Sequence, residues 1–336
     1  MSLPVGPWAG ASGALPGTRP DHALDLVLGE LGEGHLPFVP ELADRGVGAD
    51  TIGRSASFLV DMPVDLQPSG WRLVDHPSRD LARGRSWWGQ DLDALAERGE
   101  EAAQAIALQI GLLGPWTLAA ALQRQRGEVA VSDPGARRDV VESLSVGLGE
   151  VLGAVRRAAS GARLVVLLDE PSLPAVLLGR VTTASGYGSL RSVPVQEVRD
   201  GLRAVVAAAH AAEASVVLRC HDEDAPVELL GETTADGVAV RTPAQASGAG
   251  TAAWDLVAGL LESGTGVVLT PAGAERARDA ETLAGLVTGP CQQIGIDGDL
   301  LAGIALGAVA SRPERGMSRE DLARTARAAE LLRDGV

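Results

Sequence analysis

From about residue 137 onward the chain repeats one unit, an amphipathic helical stretch followed by a short apolar run. That alternation is what a parallel sheet with crossover helices demands. Residues 136–159 carry Val140, Leu144, Leu148, Val151 and Val155 at helical spacing, behind the start signal Asp133-Pro134-Gly135. Residues 163–168, Arg-Leu-Val-Val-Leu-Leu, then read as a buried strand. A helix over 196–212 leads to a strand over 215–220, and a short helix near 226–230 leads to a strand over 237–240. Helix 251–262 precedes strand 266–269, and helix 280–287 precedes a weaker strand near 304–309, which makes five units in series.

The N-terminal half is less regular. It reads as a helix over 21–31, a proline-bearing loop over 36–42, a helix running through Phe58, a strand-like 71–74, a helix over 91–98 and a strand over 105–110. A terminal helix over 315–333 ends the pattern. An α/β fold of the (β/α)8 TIM barrel type accommodates these elements better than an open sheet. With no long Pro/Gly/Ser linker and no internal repeat, residues 1–336 are expected to form one barrel domain with an N-terminal extension and a C-terminal helix.

Charge narrows the function. Twenty-nine basic against 44 acidic residues leave a formal charge of −15, a field that repels phosphate backbones and anionic lipid, so neither nucleic acid nor membrane is the expected partner. Every basic residue is arginine. Without lysine there is no P-loop amine for phosphates and no Schiff-base chemistry. Two cysteines, Cys220 and Cys291, cannot build a disulfide framework and suit a reducing compartment, so a cytoplasmic protein is expected. The first residues lack a cationic flank before an apolar run, and no stretch of about 18 apolar residues follows; neither a signal peptide nor a membrane span is expected.

A parallel barrel places its site at the carboxyl ends of the strands. After strand 163–168 comes Asp169-Glu170-Pro171-Ser172-Leu173-Pro174, two adjacent carboxylates that serve a ligand or catalysis, or that cap a loop. After strand 105–110 comes Gly114-Pro115-Trp116-Thr117-Leu118, where Trp116 either walls a pocket or fills core. Gly186-Tyr187-Gly188 lacks the third glycine of a dinucleotide loop, and Ala184-Ser185-Gly186 reads as a flexible loop rather than a nucleophile elbow. Trp87-Trp88 suits packing or a contact between two copies of the chain, a homodimer.

Residues 109–118, Gln-Ile-Gly-Leu-Leu-Gly-Pro-Trp-Thr-Leu, followed by Val165-Val-Leu-Leu-Asp-Glu-Pro-Ser-Leu173, resemble the paired signatures of cobalamin-independent methionine synthase. Gly17-Thr18-Arg19-Pro20 stands where that family has a substrate-contacting turn. Residues 37–45, Gly48-Ala49-Asp50, residues 66–72 and residues 176–188 resemble short actinobacterial single-barrel proteins of the methionine-synthase-like kind, so the likeness spans nearly the whole chain. The resemblance implies a barrel that transfers a methyl group from a folate to a zinc-bound homocysteine thiolate, the metal removing a proton from a thiol whose pKa lies near 8.5.

This sequence departs from the family where the resemblance would place zinc. The His-x-Cys triplet becomes Arg219-Cys220-His221, the glutamate falls on Arg241, and the last cysteine falls near Ser311; Thr270-Pro271 stands where the family has an acid histidine. Cys220 and His221 are adjacent and so point oppositely on a strand, while His22, His35, His76 and His210 show no paired spacing. No cofactor is expected, zinc included. Arg219 and Arg241 would form a fork for a carboxylate or phosphate if they converge, or else pair with Asp222, Asp224 or Asp169 as a structural clamp.

Three functions follow as expectations. The first is a methionine-synthase-like enzyme acting on a small amino-acid or thiol substrate, with Asp169 on its amine and Gln109, Trp116 and Glu170 lining the same pocket. The second is a paralogue that binds without turnover. The third is a metal-free activity like that of uroporphyrinogen decarboxylase, which shares the related barrel and uses arginine and aspartate on polycarboxylates.

Overall fold

Six-residue runs such as Leu164–Asp169 and Ala214–Arg219 are buried on both faces, which only a parallel sheet flanked by helices provides. The computed structural model describes residues 2–11, 13–244, 249–296, 298–311 and 316–335. Its strands are β1 (Ala9–Ala11), β2 (Val64–Gln67), β3 (Gly70–Leu73), β4 (Leu108–Leu113), β5 (Leu164–Asp169), β6 (Ala214–Arg219), β7 (Gly237–Arg241), β8 (Gly266–Thr270) and β9 (Ile304–Ala308). Seven of them form one parallel sheet in the order β1-β9-β8-β7-β6-β5-β4, and β2 pairs with β3 as a separate antiparallel hairpin.

The sheet curls until β1 and β4 face each other, and residues 36–41 fill the gap between them. On one side the Leu36 N–H donates to the Ala9 carbonyl at 2.8 Å and the Glu41 N–H to the Gly13 carbonyl at 2.7 Å. On the other side the Gln109 N–H donates to the Pro37 carbonyl at 2.8 Å and the Val39 N–H to the Gln109 carbonyl at 2.9 Å. This stretch, expected to be a loop, therefore occupies the eighth strand position. Pro37 and Pro40 each lack an N–H, so its ladder is interrupted and no regular strand results.

The helices are α1 (Pro20–Leu31), α2 (Thr51–Ser57), α3 (Arg79–Ala96), α4 (Gly99–Gln104), α5 (Pro115–Ala121), α6 (Pro134–Ala158) and α7 (Leu173–Leu178), then α8 (Val195–Ala211), α9 (Val227–Gly231), α10 (Ala249–Glu262), α11 (Ala280–Ile294), α12 (Gly298–Leu301) and α13 (Arg319–Asp334). Asp133 caps α6 by accepting from the Ala136 N–H at 2.9 Å, as its Asp-Pro-Gly signal implies. The residue expected to begin the terminal helix, Arg315, lies outside the described residues.

Two expectations for the N-terminal half are corrected. The strand expected over 105–110 runs over Leu108–Leu113, because Ala105 and its neighbours only connect α4 to the sheet and the apolar run continues to Leu113. The strand-like 71–74 lies in the hairpin, outside the barrel. Trp87 and Trp88 are packing residues here: Trp88 is buried and meets Phe58 edge-on at 5.1 Å, and Arg45 and Arg54 lie over the two indoles.

Inside the barrel the lower layer is apolar: Trp8, Leu36, Ala107, Val165, Val217, Ala239, Val268 and Ala305. Residues 2–8 fold beneath it. Leu3 occupies the space left by Gly237 and Gly266, where an added Cβ would stand 2.5 Å and 2.9 Å from its Cδ1. The Ser2 carbonyl accepts from the Ser215 hydroxyl at 3.1 Å, and Trp8 donates to the Pro4 carbonyl at 3.1 Å. The bottom is thus filled, and open volume remains at the carboxyl ends.

Candidate functional site

Register builds the site. Asp169 lies beside Arg219, Arg219 beside Ala239, and Arg241 beside Thr270, all at or near the carboxyl ends of β5 to β8. Alternation then sorts neighbours by face: Arg219 and His221 point inward, while Cys220 between them is fully buried in the outer core, and burial pushes its thiol up to about 12. Small inner residues at Gly10, Ala239 and Gly307 leave a cavity of roughly 340 Å³, floored by Trp8 and lined by Gln109, Arg219, His221 and Thr270. A second chamber of roughly 330 Å³ shares Leu167 and Arg219 with it and is lined by Glu41, Thr51, Asp169 and Gly111.

The central contact is a two-point ion pair. Arg219 Nε donates to Asp169 Oδ1 at 2.8 Å, and Nη2 donates to Oδ2. Of the two roles open to Arg219 the clamp is the one formed, and it uses both carboxylate oxygens. Glu41 completes the second chamber. Burial pushes its carboxyl above the usual range, opposed by the Arg54 charge and by the Thr51 hydroxyl, which donates to Oε2 at 2.9 Å. Burial, with the charges of Arg219, Arg241 and Arg276, lowers His221 to about 4.

The other residues expected at the site divide. Gln109 lines the larger cavity and donates through Nε2 to the Ala11 carbonyl at 2.6 Å. Glu170 does not reach it, because it follows Asp169 and faces outward. It is fully buried and accepts from the Trp116 N–H at 3.0 Å, the Thr117 N–H at 2.7 Å and the Thr117 hydroxyl at 2.6 Å. Burial nevertheless pushes its carboxyl up to about 7. Trp116 is core, donating to the Val198 carbonyl at 3.1 Å, rather than a pocket wall. The two motifs therefore lock each other across the tops of β4 and β5; the lock also needs Gly114, where a Cβ would stand 2.4 Å from Glu170 Oε1.

Gly17, Thr18 and Arg19 are exposed and line neither chamber: the Gly17 N–H donates to Asp44 at 2.6 Å, and Arg19 pairs with Asp21. Arg241 pairs with Glu223 at 3.0 Å rather than sharing Arg219's direction, so the expected fork does not form. The Ser311 N–H donates to Asp321 at 3.2 Å, away from the cavity. Glu41 and Thr51 escaped the sequence reading. Their signal was a carboxylate following Val39-Pro40, which a strand assignment over 36–41 would have placed at the barrel mouth.

The ligand positions implied by the resemblance do not fit zinc. Arg219 and Arg241 are cations already paired, Ser311 lies elsewhere, and Cys220 is turned away, which leaves His221 alone where four N, S or O donors are required. Among the described residues no group of three or more His, Cys, Asp or Glu side chains is placed to hold a metal ion.

No family model matches the chain, and no curated protein matches it. Among solved structures it is similar to a B12-independent methionine synthase from Shewanella sp. W3-18-1 in complex with selenomethionine, with a TM-score of 0.60 over 98% of this chain and 98% of that one. The two share a barrel fold. At 12% identity the likeness is one of backbone. A D-psicose 3-epimerase with D-tagatose from Clostridium cellulolyticum H10 matches more loosely, with a TM-score of 0.45 at 11% identity over 97% of this chain and 96% of that one. No helix among the described residues is long and apolar enough to cross a membrane.

Proposed function

We propose that the barrel is a methionine-synthase-like protein that binds a small amino-acid or thiol substrate at the Asp169–Arg219 pair and acts without zinc. The observation that carries this reading is the smaller chamber, where Asp169, Arg219 and Glu41 meet at the carboxyl ends of the strands. An α-amino acid carries an ammonium and a carboxylate on adjoining atoms, and the chamber offers two acids and a guanidinium to match them. The full-length likeness to a structure holding selenomethionine, itself an amino acid, supports the same substrate class.

Methyl transfer to a thiol needs the thiolate, and the only fixed cation at the chamber wall is Arg219. Placed beside a substrate sulfur, it favours the deprotonated form by charge alone. Calorimetry with homocysteine and with methionine, each with and without zinc, tests the reading. Heat from either amino acid, lost in Asp169→Asn, is expected; no heat in any combination overturns it.

A non-catalytic binding protein is the second reading. It is favoured by Asp169, whose two oxygens are both engaged by Arg219. Methyl transfer to homocysteine by the purified protein, abolished in Asp169→Asn, would exclude it.

A further inference from the structure

His221 Nε2 is buried at the edge of the larger cavity and has no hydrogen-bond partner among the described residues. A buried ring nitrogen left unpaired costs about 1–3 kcal/mol, which a bound group can recover. Around this ring the charges that act most strongly are three guanidiniums, Arg219, Arg241 and Arg276, against the single carboxylate of Asp169. Arg219 is committed to Asp169, so the surplus positive charge belongs to the other two.

Neither is strongly held. Arg241 bonds Glu223, whose side chain is 84% exposed, and such a surface pair contributes little. Arg276, on the single-turn helix Gly273–Ala277 after β8, forms no ion pair among the described residues, and its Nε is buried without a partner. The nearby acids are occupied elsewhere: Asp222 accepts from the Asp224 N–H at 2.8 Å, Asp224 pairs with Arg180 at 2.7 Å, and Glu275 pairs with Arg278 at 3.6 Å.

We propose that His221, Arg241 and Arg276 form an oxyanion subsite at the barrel mouth, which takes a carboxylate or phosphate group of the ligand. The imidazole donates from Nε2, the guanidiniums supply charge and N–H donors, and Glu223 swings into solvent when the anion arrives. The subsite stands where the resemblance would place a metal, so a cation site has become an anion site. The inference rests on the reading of this face as the ligand face, and it adds that the ligand carries an acidic group beyond those held at Asp169.

Titration with inorganic phosphate and with acetate, followed by the imidazole resonances of His221 and by calorimetry, tests it. We expect at least one probe to bind and to raise the pKa of His221, because an adjacent anion favours the imidazolium. Arg241→Gln and Arg276→Gln should each weaken binding about tenfold, equivalent to ~1.4 kcal/mol, with unchanged thermal unfolding. Phosphate alone binding identifies a phosphate-bearing ligand, and acetate alone a carboxylate. Asp169→Asn should keep the anion response while losing homocysteine and methionine, which separates failure of the subsite from failure of the proposed function. Silence toward both probes, or equal affinity in both arginine variants, overturns the proposal.

Discussion

Adjacent residues at the end of β5 do unlike work. Asp169 faces the cavity, while Glu170 faces outward and receives three hydrogen bonds from the start of α5. Glu170→Ala strands those donors in a dry place and should cost about 3 kcal/mol, read as a lower urea midpoint; an unchanged midpoint would show that water satisfies them. His221 sets the acid side of stability. Its pKa of about 4 lies below the ordinary 6.5, so the fold binds fewer protons than the unfolded chain between those values. Stability is therefore full above pH 6.5 and falls as pH drops toward 4, by roughly 2 to 3 kcal/mol. Urea unfolding at pH 7 and pH 4.5 should show a smaller difference in His221→Gln; the same difference in both proteins refutes the assignment. Some residual slope remains, because burial also holds His35 below its ordinary value. The inward direction of Arg219 and His221 was legible in the sequence, since alternation on a strand is strict. The same rule applied one residue past Asp169 would have removed Glu170 from the pocket.

The later elements were legible because each contains an uninterrupted apolar run or a capped amphipathic helix. Residues 36–41 were not, since two prolines erase the strand pattern while the neighbouring ladders still impose a strand's path, and with them Glu41 was lost. Close approaches between elements were equally silent. α6 runs so near the end of α2 that a Cβ on Gly147 would stand 1.8 Å from the Phe58 carbonyl oxygen. Backbone cannot yield there as a side chain would. Gly147→Ala should cost about 3 kcal/mol in a thermal or urea melt, and a neutral result would mean that α6 shifts freely against α2.

The whole molecule is tied at the bottom of the barrel. Arg333 of α13 donates to the Pro7 carbonyl at 2.9 Å and the Gly34 carbonyl at 3.0 Å, so the last helix holds the N-terminal segment under the sheet. Trp8 stands between the ligand cavity above and a hollow below, lined by Leu3, Pro4 and Val267. Trp8→Ala should lower stability by about 3 to 5 kcal/mol and weaken amino-acid binding by opening the floor; binding unchanged at full strength would show that the floor is not part of the site. While Trp8 is in place the cavity is a blind well with one mouth. Two ligands can occupy it only in a stack, so the deeper one must arrive first and depart last. A compulsory order of addition, visible in product-inhibition patterns, is thus built into one tryptophan at the base.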